Sequence, residues 1–110
     1  MISAGMLRHR VTLRELVETD NDYGEKERSW QDNGSVWALV EDMRGRERYL
    51  ARQAQSEVDA TVTIRYRDDI VPTMRIAHGS RELQIDSIVR PDDRGRFLEL
   101  LCREIPSDGT

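Results

Sequence analysis

The stretch from Val58 to Arg67, VDATVTIRYR, decides the class of fold that this chain can adopt. Apolar residues occupy every second position of the stretch, and polar residues fill the positions between them. Such alternation over ten residues is typical of a β-strand with one face on a core and the other in solvent. A strand of this kind needs neighbours that cover the same face, so the flanking sequence should hold further strands.

Six further segments are predicted as strands, because they are short, alternate in polarity and are separated by turns rich in Gly, Asn, Asp and Pro. They are Leu7 to Leu16, Glu25 to Gln31, Ser35 to Val40, Met74 to Ala77, Glu82 to Val89 and Phe97 to Glu104. The dipeptide Asn33-Gly34 predicts a turn before the third of these segments. That segment is apolar enough to predict burial on both faces, so we expect Trp37 to be more buried than Trp30. Truncation of Trp37 to alanine should then cost about 3–5 kcal/mol.

One segment departs from the strand period. Residues 46–57, RERYLARQAQSE, contain strong helix formers and neither Gly nor Pro, which predicts one α-helix. The sequence therefore predicts a mainly β fold, a small antiparallel β-barrel or sandwich of six to seven short strands with one helix. We assign residues 1–104 to a single barrel domain and residues 105–110 to a disordered polar tail.

The composition limits the core and excludes several classes of protein. Only 25 of the 110 residues are Leu, Ile, Val or Phe, so a single domain must fold around a thin core. The apolar stretches are far shorter than the roughly 20 residues of a membrane span, and no signal peptide is recognisable. The single cysteine, Cys102, excludes an internal disulfide, and its apolar neighbours predict a buried, unreactive thiol.

No residue pattern that would support catalysis or bind a cofactor or metal is evident. The sequence holds no nucleophile elbow, phosphate-binding loop or dinucleotide fingerprint. His9 and His78 are predicted to be structurally unrelated, because nothing in their spacing suggests that they converge with Cys102 or a carboxylate. The segment from Asp20 to Gly24 is similar to the start of a calcium loop, but the later ligand positions do not fit, which favours a hairpin turn. We therefore expect a protein without enzymatic activity, metal or cofactor.

Charge is unevenly distributed along the chain. The net charge is −4, and 16 of the 17 basic residues are arginine. An acidic segment near the N-terminus contains Glu15, Glu18, Asp20, Asp22, Glu25, Glu27 and Asp32, whereas the predicted helix and its N-terminal flank carry Arg44, Arg46, Arg48 and Arg52. Either these are solvated surfaces, or they form an interface in which the arginines meet acidic neighbours or DNA. On the second interpretation, the interface or channel residues are the four arginines together with Glu18, Asp20 and Asp22.

A series of short motifs runs through the chain in a recognisable order. They are GxLRHRV at 5–11, DYG at 22–24, SW at 29–30, VWA at 36–38, GxE at 45–47, TIRYR at 63–67, MRI at 74–76 and LxLxCxE at 98–104. As a set they resemble the head–tail adaptor family of long-tailed bacteriophages, also called head-closure or stopper proteins. The resemblance covers about residues 5–104.

This resemblance implies a small β-barrel with one helix and a long gating segment, which would correspond to roughly residues 41–54. It implies a ring of copies beneath the portal that retains the packaged genome and presents a docking surface for the tail. No catalytic residue, metal or cofactor is implied. The expected partners are copies of the chain itself, a portal or adaptor protein above, a tail-completion protein below, and DNA passing through the channel. The expected location is the neck of the virion, after synthesis in the bacterial cytoplasm and without a membrane.

A second class of function stays open at this point, namely a small monomeric β-barrel that binds nucleic acid. The net acidity and the 5% content of aromatic residues count against it, since such proteins need a basic field and aromatic stacking platforms. A small hydrolase is a third class, but the sequence lacks a recognisable pair of nucleophile and base.

Overall fold

The computed structural model describes residues 4–43, 58–90 and 94–106. A 3-10 turn, Ala4–Met6, precedes six strands: β1 His9–Asp20, β2 Lys26–Asp42, β3 Ala60–Arg65, β4 Arg75–His78, β5 Arg81–Val89 and β6 Phe97–Ile105. All neighbouring strands are antiparallel, and they close into a barrel in the order β1-β2-β3-β6-β5-β4. The predicted mainly β fold is confirmed as a barrel. The predicted helix at residues 46–57 lies outside the described residues. Of the tail predicted at residues 105–110, Ile105 belongs to β6 and residues 107–110 lie outside the described residues.

Aliphatic side chains from all six strands fill the barrel. Val62 and Ile64 of β3, at the centre of the alternating stretch, are fully buried, and Leu100 of β6 lies opposite Val62. Cys102 is also fully buried, as predicted, and this burial raises the pKa of its thiol to about 12. The other core residues are Val11, Leu13, Ala38, Ala60, Met74, Ile76, Leu83, Ile85 and Leu98.

Asn33 and Gly34 form a bulge within β2, so the predicted turn at this dipeptide is wrong. The pairing register between β1 and β2 shifts at Leu13, so that Asn33 and Gly34 together lie opposite this single residue. Gly34 has a φ of +88°, a conformation that side chains rarely adopt. Two of the seven predicted strands are therefore parts of one long strand, and the barrel has six.

The barrel closes between β1 and β4 through only three residue pairs. The central pair joins Leu13 to Ile76, and both side chains are fully buried. On the outer surface, the Glu82 carboxylate accepts hydrogen bonds from both Arg14 and Arg75. We call this junction the seam. Within the described residues, β1 has no strand partner other than β2 beyond Arg14.

The prediction that Trp37 is the more buried tryptophan is wrong. Trp37 is 54% exposed, whereas Trp30 is half-buried under Arg75, whose guanidinium carbon lies 4.3 Å from the ring centroid. Alternation along β2 explains the difference: Ala38 faces the core, so Trp37 must face outwards. The segment from Ser35 to Val40 is therefore covered on one face only.

Polar residues gather at one end of the barrel, where β1, β3 and β5 begin. We call this cluster of His9, Asp42, His78, Arg81 and Glu104 the polar mouth. Arg81 binds Asp42 at 2.7 Å and Glu104 at 3.0 Å, and these hydrogen bonds raise its pKa further. The rings of His9 and His78 meet edge to face with centroids 5.1 Å apart. The prediction that the two histidines are unrelated is wrong, because the seam places the start of β1 beside the end of β4.

The surroundings of His78 disfavour its protonated form. Burial lowers its pKa most, the nearby His9 and Arg81 lower it further, and Asp42 acts in the opposite direction. Its Nδ1 atom is buried without a hydrogen-bond partner among the described residues. Within those residues, no group of three His, Cys, Asp or Glu side chains could hold a metal ion. The described ranges also contain no helix with the length and apolar character that crossing a membrane requires.

Truncating the seam should destabilise the protein far more than truncating Trp37. Leu13→Ala removes a fully buried side chain and should lower the free energy of unfolding by about 2–5 kcal/mol. Trp37→Ala should lower it by about 1 kcal/mol or less, since the indole is half in water and mainly loses its contact with Arg10. Urea denaturation followed by circular dichroism measures both, with Leu16→Ala on the exposed part of β1 as the matched control. An unfolded Trp37→Ala variant would contradict this assignment.

The protein should lose stability as the pH falls below about 6.5, the ordinary pKa of histidine. In that range the unfolded chain binds a proton at residue 78 that the native state resists, so acidification favours unfolding. His78→Gln should therefore flatten the dependence of the melting temperature on pH between 7.5 and 5.5. His9→Gln should flatten it in part, because burial and Arg81 still act on His78. An unchanged slope in His78→Gln would show that other groups control the pH dependence.

Candidate functional site

The acidic segment forms a two-stranded arm that projects from the barrel. β1 and β2 remain paired for six residues beyond Arg14, up to Asp20, and in this part of the chain they have no other strand partner among the described residues. Six residues at the usual rise of about 3.3 Å make an arm of roughly 20 Å. We call residues 15–32 the acidic arm, since seven carboxylates and two cations give it a net charge of −5.

The tip of the acidic arm is a tight, ordered turn. The Oδ1 atom of Asn21 accepts hydrogen bonds from the backbone N–H groups of Tyr23 and Glu25, both at 2.9 Å. Gly24 follows with a φ of +76°, and the Tyr23 side chain is 89% exposed. The predicted hairpin turn at this position is confirmed. The turn presents a phenol ring and carboxylates to the solvent at the end of a stiff ribbon.

Three of the predicted interface residues lie on this arm. Glu18 accepts a hydrogen bond from Arg28 at 3.0 Å, with both side chains largely in solvent. Asp20 lies opposite Lys26 at the last pair of the ladder, and Asp22 is exposed in the turn. All three carboxylates are accessible to a partner, and that they bind one stays a prediction.

The four predicted basic residues, Arg44, Arg46, Arg48 and Arg52, lie outside the described residues. They belong to the connection between β2 and β3, whose flanking residues both lie at the polar mouth. There the Met43 N–H donates to the Asp59 carbonyl at 2.9 Å, so the two ends of the connection are held together.

A second exposed surface, which was not predicted, surrounds Trp37. Arg10 on β1 places its guanidinium carbon 5.2 Å from the indole centroid, and Arg65 on β3 lines the same hollow of about 250 Å³. Within the described part of the chain, neither arginine pairs with a carboxylate. We call the surface formed by Arg10, Ser35, Val36, Trp37 and Arg65 the tryptophan face. Side chains alternate between the two faces of a strand, so a strict period of two along residues 35–40 would have placed Trp37 on the face opposite Ala38 and predicted this surface.

A third arginine at this hollow, Arg67, is already neutralised. Its guanidinium donates two hydrogen bonds to Asp69, at 2.9 and 2.7 Å, and this pairing lowers the pKa of the Asp69 carboxyl. Within the described ranges, the cationic groups of the tryptophan face without a carboxylate partner are thus those of Arg10 and Arg65. Two exposed cations beside an exposed indole can bind an anionic group together with a ring, but they provide no nucleophile or base.

Comparison with solved structures identifies close likenesses of the whole chain. The solution structure of protein SF1141 from Shigella flexneri 2a matches with a TM-score of 0.79 and 31% sequence identity, over 97% of this chain and all of that one. A chain in the virion of a native gene transfer agent particle matches with a TM-score of 0.61 and 22% identity. That match covers 90% of this chain and 96% of the other, and at such identity it shows a shared fold. No curated protein matches the chain.

The comparison with protein families agrees with the likeness seen in the motifs. The model of the family described as phage head completion protein matches residues 2–105. The matched range contains the barrel, the acidic arm and the tryptophan face. The chain therefore belongs to the phage head completion proteins, a family of structural components of the virion.

Proposed function

We propose that this chain is a subunit of an oligomeric ring in the phage neck, which joins the DNA-filled head to the tail and helps to close the portal channel. The family match over residues 2–105 carries the proposal, since a protein that completes the head acts where the packaged genome would otherwise leave it. The partners in this role are further copies of the chain, a portal or adaptor protein above, a tail-completion protein below and the DNA in the channel. The role requires no catalysis, metal or cofactor. The site of action is the neck of the virion, after synthesis in the bacterial cytoplasm.

The charge distribution of the single subunit supports assembly from identical copies. The acidic arm and the tryptophan face are different surfaces of opposite charge on the same molecule. Surfaces that differ but complement each other make head-to-tail contacts, and such contacts close into rings when the rotation between subunits permits.

In the proposed ring, the arginines at positions 44, 46, 48 and 52 line or border the channel. Four arginines within nine residues of an otherwise acidic chain need anionic partners when they are removed from bulk water. In the proposed ring those partners are the phosphates of the DNA or the carboxylates of another neck protein.

A second candidate function is that of a monomeric barrel that binds nucleic acid, and the exposed Trp37 beside Arg10 favours it. Base stacking on an exposed indole with an adjacent guanidinium is a common mode of binding single strands. The acidic arm opposes this function because its net charge of −5 repels phosphates that extend along the same sheet. An affinity for single-stranded DNA that falls steeply with salt would support it.

Purified protein should restore the joining of tails to DNA-filled heads that lack it. Heads from a phage with this gene disrupted should package DNA but lose it or fail to bind tails. Addition of the folded wild-type protein should yield infectious particles, and the destabilised variant Leu13→Ala should yield fewer. Plaque counts and electron microscopy measure the outcome. Normal tail attachment in the absence of the protein would refute the proposed function.

The basic segment should serve assembly rather than folding. The triple variant Arg44→Glu, Arg48→Glu, Arg52→Glu should melt close to the wild-type temperature and should join few heads to tails, since the positive charge that attracts the anionic partner has been reversed. The matched triple change to glutamine should retain an intermediate level of joining. Loss of folding would mean that the arginines form bridges within the subunit. Normal joining would mean that they are merely solvated.

A further inference from the structure

We infer that the acidic arm of one copy docks on the tryptophan face of the neighbouring copy, with Tyr23 and the carboxylates beside it seated against Trp37, Arg10 and Arg65. The inference rests on the proposed ring and names the two surfaces that meet within it. It follows from the exposed charged and aromatic groups of each surface in the single subunit and from the distance between the two surfaces.

Two arginines of the described chain stack on a tryptophan, but only the one at the seam is also paired with a carboxylate there. Arg75 stacks on Trp30 as Arg10 stacks on Trp37, but Arg75 also binds the Glu82 carboxylate at 3.1 Å. Among the described residues, no carboxylate reaches Arg10. The stacked arginine of the seam thus has a carboxylate partner, whereas the stacked arginine of the tryptophan face has none within the described residues and can accept one from a neighbouring copy.

The tip of the acidic arm carries the groups that would complete this site. Asp22 and Glu25 are exposed, and within the described part of the chain neither forms an ion pair. Tyr23 lies between them with nearly its whole side chain in water. Exposed tyrosines flanked by polar groups are characteristic of interface anchors, because the ring covers apolar surface while the hydroxyl keeps a hydrogen bond. The hollow beside Trp37 offers such a ring an apolar floor from Val36 and the indole.

The arm of a molecule cannot reach its own tryptophan face. Gly24 and Trp37 are thirteen residues apart, and twelve of those residues belong to β2, which corresponds to roughly 40 Å of extended chain. The ladder between β1 and β2 holds the arm straight almost to its tip. The two surfaces can therefore meet only between molecules. Each such contact leaves one arm and one face free, so it repeats from copy to copy.

A second copy fits the tryptophan face better than a nucleic acid does. A nucleic acid seated on Trp37 would bring a continuous line of phosphates toward an arm of net charge −5 on the same sheet. The arm of another copy brings a few carboxylates on a narrow ribbon to two arginines. The negative charges of the arm then meet positive charges, whereas phosphates near the arm would add to its negative charge.

Cross-linking between two differently tagged variants tests the contact directly. One protein carries Thr19→Cys, an exposed position of the arm one residue before its last strand pair, and the other carries Ser35→Cys, an exposed position that lines the hollow. The native Cys102 is buried and does not compete for a short bismaleimide linker. The matched control pairs Thr19→Cys with Ser80→Cys in the exposed turn between β4 and β5. We expect the mixed product from the arm and face variants to exceed that of the control by about fivefold or more, and equal yields would overturn the inference.

Charge reversal then identifies the residues that attract the arm. Asp22→Arg with Glu25→Arg in the arm variant should reduce the mixed product to the control level. Arg10→Glu with Arg65→Glu in the face variant should do the same. Combining the reversed arm with the reversed face should restore the product, since the two surfaces then attract again. Failure of the combination to restore it, with both proteins folded by circular dichroism, would overturn the assignment of these residues.

The outcome can be separated from that of the proposed function. If the wild-type protein restores head–tail joining but the arm and face variants show only the control level of cross-linking on assembled particles, the ring proposal stands and this contact is refuted. If cross-linking is specific but heads join tails without the protein, the contact stands and the neck function is refuted.

Discussion

Closure of the barrel at the seam is the constraint on which the rest of the molecule depends. Three residue pairs suffice because Leu13 fills the interior side while Glu82 holds two arginines together on the exterior side. The seam uses β1 only up to Arg14, and the bulge at Gly34 changes the register of β2 at the same level. The remainder of both strands must therefore leave the barrel as the acidic arm. The same closure brings the two histidines together at the polar mouth.

Alternation of polar and apolar residues is a local signal that identifies strands. VDATVTIRYR and its neighbours therefore suffice to predict a small antiparallel barrel or sandwich, and the structure shows that it is a barrel. The errors came from non-local geometry. Asn33-Gly34 has the same local signature in a turn and in a bulge, and only the pairing with Leu13 distinguishes them. Hydrophobicity predicted a buried Trp37, although its position between inward-facing residues requires it to point outwards. The charges of the acidic segment were evident from the sequence, but the seam that turns this segment into an arm was not.

The structure also gives the excess of arginine over lysine a physical role. In the described part of the chain, four arginines lie over aromatic rings, with the guanidinium carbon 4.3 to 5.8 Å from the ring centroid. They are Arg10, Arg75, Arg90 and Arg96. A planar guanidinium can stack on a ring and bind a carboxylate at the same time, which a lysine ammonium does less well. Apart from Phe97, the described aromatic side chains lie at least partly exposed, and the interior is filled mainly by aliphatic residues. The thin core therefore does not need to hold either tryptophan, and the arginines above the rings keep the surface polar.

The acidic arm has a further consequence for the behaviour of the chain before assembly. A two-stranded ribbon has two open edges, whose free N–H and C=O groups invite pairing with the edges of other chains. Two arms laid side by side would bring their carboxylates together, and the net charge of −5 on each opposes that encounter. The same charges that suit the arm to a basic surface thus guard it against amyloid-like stacking. The arm's own charges thus work against polymerisation of the free subunit through its strand edges.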